Sequence, residues 1–116
     1  MHPEAVQRLV EAGGDQTRRT RVFDVVRGYD WPAPYTGRAL KNGFVEQWEG
    51  REQALRNDTE AARQYAESQQ RGDFDQALVW AGENVDLITS LEGAGPLTRR
   101  ISEEADECLR RLAQGL

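Results

Sequence analysis

Several residue types are scarce, and each scarcity excludes something. There is one cysteine, Cys108, so no disulfide can form within the chain. There is one histidine, His2, near the terminus, where side chains are usually poorly ordered, so no His-dependent catalytic constellation is expected. One Cys and one His give no Cys/His metal-ligand spacing. Of 15 basic residues only Lys41 is a lysine, and acids outnumber bases 20 to 15 for a net charge of −5. A nucleic-acid binder is expected to carry a basic excess, so that class is set aside. No apolar run approaches the length of a membrane span. The opening Met-His-Pro-Glu-Ala has neither a basic nor an apolar leader segment, so cytoplasm is the expected compartment. With 116 residues, a complete (β/α)₈ barrel, which needs roughly 200, is excluded.

What is present reads mainly as helix. Pro3 to Ala12 opens with proline at the first helical position and places Val6, Leu9 and Val10 on one face, with Gly13 and Gly14 as the stop. Thr20 to Arg27 is rich in β-branched and aromatic residues and bounded by Gly28, so it is the strand candidate. A single strand leaves its backbone groups unpaired, and this one must find a second segment or another chain. Tyr29 to Thr36 holds Pro32 and Pro34 and is expected as an extended loop, with Trp31 and Tyr35 capping the core or walling a pocket.

Gly37 to Asn57 reads as a helix carrying Leu40, Phe44 and Trp48, with a break near Gly50. Asp58 or Thr59 caps a further helix to about Gln70, ended by Gly72. Phe74, Ala77, Leu78, Ala81, Val85 and Ile88 keep helical spacing across Gly82. Pro96 opens a last helix whose stripe is Leu97, Ile101, Ala105, Cys108 and Leu112, and this spacing predicts Cys108 on a buried face. The acids at 103, 104, 106 and 107 fall on that helix's polar side. No phosphate-binding glycine loop is found, because Gly93-Ala94-Gly95 lacks a third glycine and a preceding strand. Residue chemistry alone thus yields an acidic, helix-rich domain with no catalytic group and no metal site.

A longer pattern adds to this. Ala12-Gly13-Gly14-Asp15-Gln16-Thr17, Thr20-Arg21-Val22-Phe23-Asp24 and the run from Trp31-Pro32-Ala33-Pro34-Tyr35 to Asn42 resemble the C-terminal third of nitronate monooxygenases, formerly 2-nitropropane dioxygenases. The resemblance continues at Trp48-Glu49-Gly50-Arg51-Glu52, at Gly72-Asp73-Phe74-Asp75 and, more weakly, from Ala81 to Ile88. That family binds FMN in a (β/α)₈ barrel and oxidises alkyl nitronates with O₂ to a carbonyl compound and nitrite.

The resemblance implies a mainly α segment with one short strand. Residues 1–65 would correspond to the inserted helical domain and its junction, and 66–116 to the return to the barrel and its last helix. It implies Trp31, Pro32 and Tyr35 as a substrate-side wall and Ala81, Gly82 and Glu83 as the segment nearest the flavin. Glu83 and Asp86 stand where the family usually has Gln and Gly. The family's flavin-phosphate loops and catalytic histidine match nothing here, so FMN binding and activity are not expected of this chain alone. The implied partner is a barrel-bearing chain, or a second copy, held through Leu97, Ile101, Cys108 and Leu112. The alternative reading is a non-catalytic helical module that binds a partner through its amphipathic faces.

Overall fold

The computed structural model describes residues 1–116. Its elements are α1 (Pro3–Glu11), β1 (Thr17–Thr20), α2 (Val22–Val26), β2 (Gly37–Leu40), α3 (Gly43–Trp48), α4 (Glu52–Arg56), α5 (Thr59–Arg71) and α6 (Ala94–Gly115), with short 3-10 turns at Gly14–Gln16 and Glu83–Leu87. The expectation of a mainly helical chain with very little strand holds. No helix is long and apolar enough to cross a membrane.

The sheet is small and antiparallel, with Thr17 opposite Leu40 and Thr20 opposite Gly37. Thr17 and Thr20 point inward while Arg18 and Arg19 face solvent. On the other edge of β2, the Leu40 N–H donates to the Val79 carbonyl at 2.9 Å and the Ala81 N–H to the Arg38 carbonyl at 3.2 Å. A lone bridge pairs Ala39 with Trp80, so β2 is flanked on both sides.

Three sequence expectations need correction here. The Thr20–Arg27 strand is instead the end of β1 followed by helix α2. All five residues of α2 are buried, and a tight turn can pack such a run against the core on every side. Thr20 starts the turn, its Oγ1 accepting from the Val22 N–H at 3.2 Å, so tertiary burial overrides β propensity. Gly37–Leu40, read as the start of a helix, is β2. The helix begins later because Asn42 caps it, accepting from the Val45 N–H at 3.1 Å.

The helix expected across Phe74 to Ile88 is a turn, an extended segment and a 3-10 turn. Asn42 Nδ2 donates to the Phe74 and Ala77 carbonyls at 3.3 and 3.0 Å, which engages the acceptors a helix would use. The Leu78 N–H goes to the Tyr65 hydroxyl at 3.3 Å instead of to the preceding turn.

Other expectations hold. Asp58 caps α5, accepting from the Ala61 N–H at 2.9 Å, and Gly72 ends it in the left-handed conformation at φ 70°. Gly13 and Gly14 do follow α1, but Gly13 is extended and neither glycine has positive φ. His2 is fixed rather than loose: its Nδ1 accepts from the Glu4 N–H at 3.2 Å, and its ring lies 5.2 Å from that of Phe74.

The main core gathers Phe23, Phe44 and Tyr65 into a triangle of rings, with centroid separations of 5.6, 6.1 and 5.0 Å. Trp48, Leu55, Val22 and Val26 close round it. A smaller cluster of Ala5, Leu40 and Val79 seats α1 on the sheet. Helix α6 takes no part in either, because none of its residues is buried. It leaves the body as a rod, giving a radius of gyration of 18.6 Å where a compact chain of this length would show about 13 Å.

Candidate functional site

The sheet positions two features, one on each side of β2. The first is a polar seam. Arg38, on β2, pairs with Glu83 and donates to Thr17 Oγ1 at 3.1 Å. The Gly14 N–H donates to Asp86 Oδ1 at 2.7 Å, and the Gly13 N–H to Gln16 Oε1 at 2.7 Å. The Lys41 N–H reaches the Gln16 carbonyl at 2.8 Å. Of the segments that resemble the family, Gly13 to Thr17, Arg38 to Lys41 and Ala81 to Asp86 meet along this seam, with Phe74 and Asp75 reaching its end through Asn42 and Gly43, while Thr20 to Asp24, Trp31 to Gly37 and Trp48 to Glu52 lie elsewhere. Glu83 and Asp86, the two departures from the family pattern, are the acids that tie it together.

The second feature is an open cavity of about 220 Å³, lined by Asp24, Trp31, Tyr35, Thr36, Gly37 and Trp80. The loop between α2 and β2 supplies Trp31 and Tyr35. Its path is set by Pro32, whose carbonyl accepts from the Tyr35 N–H at 2.9 Å, and by a cis Ala33–Pro34 bond. Two arginines hold the loop to β1. Arg21 donates to the Trp31 carbonyl at 3.1 Å, and Arg19 to the Thr36 carbonyl and hydroxyl at 3.2 and 2.9 Å. Trp80 packs against Gly37, where a Cβ would lie 2.2 Å from the ring.

Sequence reasoning picked out Trp31 and Tyr35, and the structure brings both to the cavity. Pro32 shapes the loop without lining it. Ala81, Gly82 and Glu83 follow Trp80 and belong to the seam, with Ala81 bonded to β2 and Glu83 to Arg38. Trp80 and Asp24 were missed. The signal for Trp80 was available: it is the large aromatic that falls off the helical stripe running from Phe74 to Ile88. Asp24 carried none, since it sits inside an apolar run.

The residues present do not fit a flavin mononucleotide. A flavin phosphate needs converging free N–H groups or cations. At the seam, the Gly13 and Gly14 N–H groups already serve Gln16 and Asp86 and Arg38 already serves Glu83, which leaves the exposed Lys41 as a lone cation and no converging set. No group of His, Cys, Asp and Glu side chains is placed to hold a metal ion.

Among the groups whose titration the fold shifts are Tyr65 and Glu60. Burial pushes the Tyr65 hydroxyl above its ordinary value. Hydrogen bonds from Arg63 and Gln64 hold Glu60, exposed at the start of α5, down to about 2.

The last helix corrects a further expectation. Cys108 is exposed rather than buried, as are Ile101, Leu109 and Leu112, while Leu97 is half-buried. Helical spacing reports a face suited to burial, and in this chain nothing covers it. The Phe44 and Trp48 surface is no partner for it, being enclosed by Phe23 and Tyr65.

Comparison with protein-family models, curated proteins and solved structures gives no match to this chain.

Proposed function

We propose that this chain is the C-terminal portion of an FMN-dependent nitronate monooxygenase-like oxidoreductase, inactive by itself. The whole enzyme would convert an alkyl nitronate and O₂ to a carbonyl compound and nitrite. The observation that carries the reading is the seam: stretches far apart in sequence, singled out by their resemblance to one family, lie against each other through Lys41–Gln16, Ala81–Arg38 and Asn42–Phe74. Trp31 and Tyr35 would then supply an apolar wall on the substrate side. Flavin binding and the reacting groups would come from a barrel-bearing partner, with residues 1–65 as the inserted domain and residues 66–116 returning to the barrel. Co-purification with a nitronate monooxygenase barrel truncated before this portion tests it. A stable complex with flavin absorbance supports the reading, and failure to form one removes it.

A second reading has its own observation. Helix α6 buries none of its residues, which favours a non-catalytic module that docks on a partner through Ile101, Cys108 and Leu112. A complex that forms without any flavin in it would select this alternative.

A further inference from the structure

We propose that the cavity formed by Trp31, Tyr35 and Trp80 above Asp24 binds an alkylated ammonium group. This inference goes beyond the flavin reading and does not rest on it.

Asp24 is only 9% exposed, yet its carboxylate accepts no hydrogen bond and forms no ion pair within the chain. No buried polar side-chain atom is sealed away without a partner, so the Asp24 oxygens reach solvent through the cavity they line. A carboxylate in this position attracts a cation, because burial weakens the solvent screening that would otherwise quench it. The nearest arginines do not fill that role. Arg21 and Arg19 are bonded to the Trp31 and Thr36 carbonyls. Arg27 lies over the Tyr29 ring, 4.8 Å from its centroid.

The three rings are also unpartnered. Trp31, Tyr35 and Trp80 are all exposed, and none stacks on another ring or under a cation. Elsewhere in the molecule such partners do occur, as with Arg51 lying 5.0 Å from the Trp48 centroid. Aromatic faces around one negative group suit a cation of low charge density, attracted by the ring quadrupoles.

The shortage of acceptors narrows the class. Thr36 already receives Arg19 on both its oxygens, so Asp24 is the charged acceptor of the lining. A primary ammonium prefers acceptors for its three N–H donors, whereas a quaternary or heavily methylated ammonium has none or one and presents methyl groups that suit the exposed ring faces.

The test uses the full chain, choline chloride as the probe, and the neutral carbon isostere of choline as the control, both at fixed ionic strength. Binding is read as saturation transfer to the methyl protons. Choline is expected to bind saturably and at least about tenfold more tightly than the isostere, the size a few ring contacts and one carboxylate provide. Asp24→Asn is expected to weaken choline about tenfold with an unchanged circular dichroism spectrum. If that variant fails to fold, Trp31→Leu, on the exposed loop, is expected to give a similar loss. Equal binding of choline and its isostere, no saturation by choline, or wild-type affinity in folded Asp24→Asn or Trp31→Leu would each overturn the proposal.

Discussion

The backbone N–H of Gly14 donates to the carboxylate of Asp86 at 2.7 Å, across 72 residues of chain. The contact allows no side chain at position 14. A Cβ there would lie 2.5 Å from the Glu83 carbonyl oxygen and 2.8 Å from Asp86 Oδ2. It joins the turn after α1 to the turn before α6, and so closes the body of the molecule.

Gly14→Ala should therefore destabilise the fold by about 1–3 kcal/mol, since backbone on both sides must shift. Asp86→Ala should cost about 0.5–1.5 kcal/mol by removing the acceptor of the Gly14 N–H, which water can then reach. Urea denaturation of both variants checks this. A change below about 0.5 kcal/mol in both, the range of ordinary surface substitutions, would mean the seam is loose.

Tyr65 links the main core to the segment leading into Trp80. Its hydroxyl accepts from Leu78, and burial raises its titration above the ordinary value. A raised tyrosine contributes stability that is fully present below its unfolded value, about 10, and is lost as pH rises through the higher folded value. Stability should thus be insensitive to this group up to about pH 10 and fall above it. Tyr65→Phe should cost about 1–2 kcal/mol at neutral pH, from the unpaired Leu78 N–H, and should flatten the alkaline fall. Denaturation of both proteins across alkaline pH decides it.

Some of this architecture was legible in the sequence. Asp58 and Gly72 bracket α5 because capping and left-handed termination are local effects, and Pro96 falls in the first turn of α6 for a similar reason. The strand expected at Thr20 to Arg27 was misplaced because β1 is Thr-Arg-Arg-Thr, whose inward residues are threonines and give no apolar alternation. Its partner Gly37–Leu40 is extended because Val79 and Ala81 hydrogen-bond to its free edge, a contact between distant segments. At the cavity, Trp31 and Tyr35 stood out beside two prolines. Asp24 and Trp80 gained meaning only when β2 brought them to the same place.

Helix α6 gives separate predictions for stability and for association. Ile101→Asp should change unfolding free energy by less than about 0.5 kcal/mol, because Ile101 is exposed and touches no core. The same change should lower any self-association seen by light scattering, since an apolar stripe of this kind seldom stays bare. A large loss of stability would mean that α6 packs on the body.

Cys108 offers a faster check of the same helix. Its thiol is exposed, so it should react with a water-soluble disulfide reagent at the rate of a free cysteine, without denaturant. Protection that disappears on unfolding would place the thiol in an interface. Protection that disappears on Ile101→Asp with the fold intact would make that interface intermolecular.

Nitrite release from an alkyl nitronate tests the enzymatic reading most directly. The chain is assayed with FMN and O₂, first alone and then mixed with a nitronate monooxygenase barrel truncated before its C-terminal portion. Alone it should release no nitrite above the rate of free FMN, because oxidation requires a flavin held in place and the seam offers no converging set of free donors to hold one. In the mixture, nitrite should rise with chain concentration until the barrel is saturated, and Ile101→Asp should blunt that rise. Nitrite formed by the chain alone in proportion to its concentration, or a barrel whose activity the chain leaves unchanged, would contradict it.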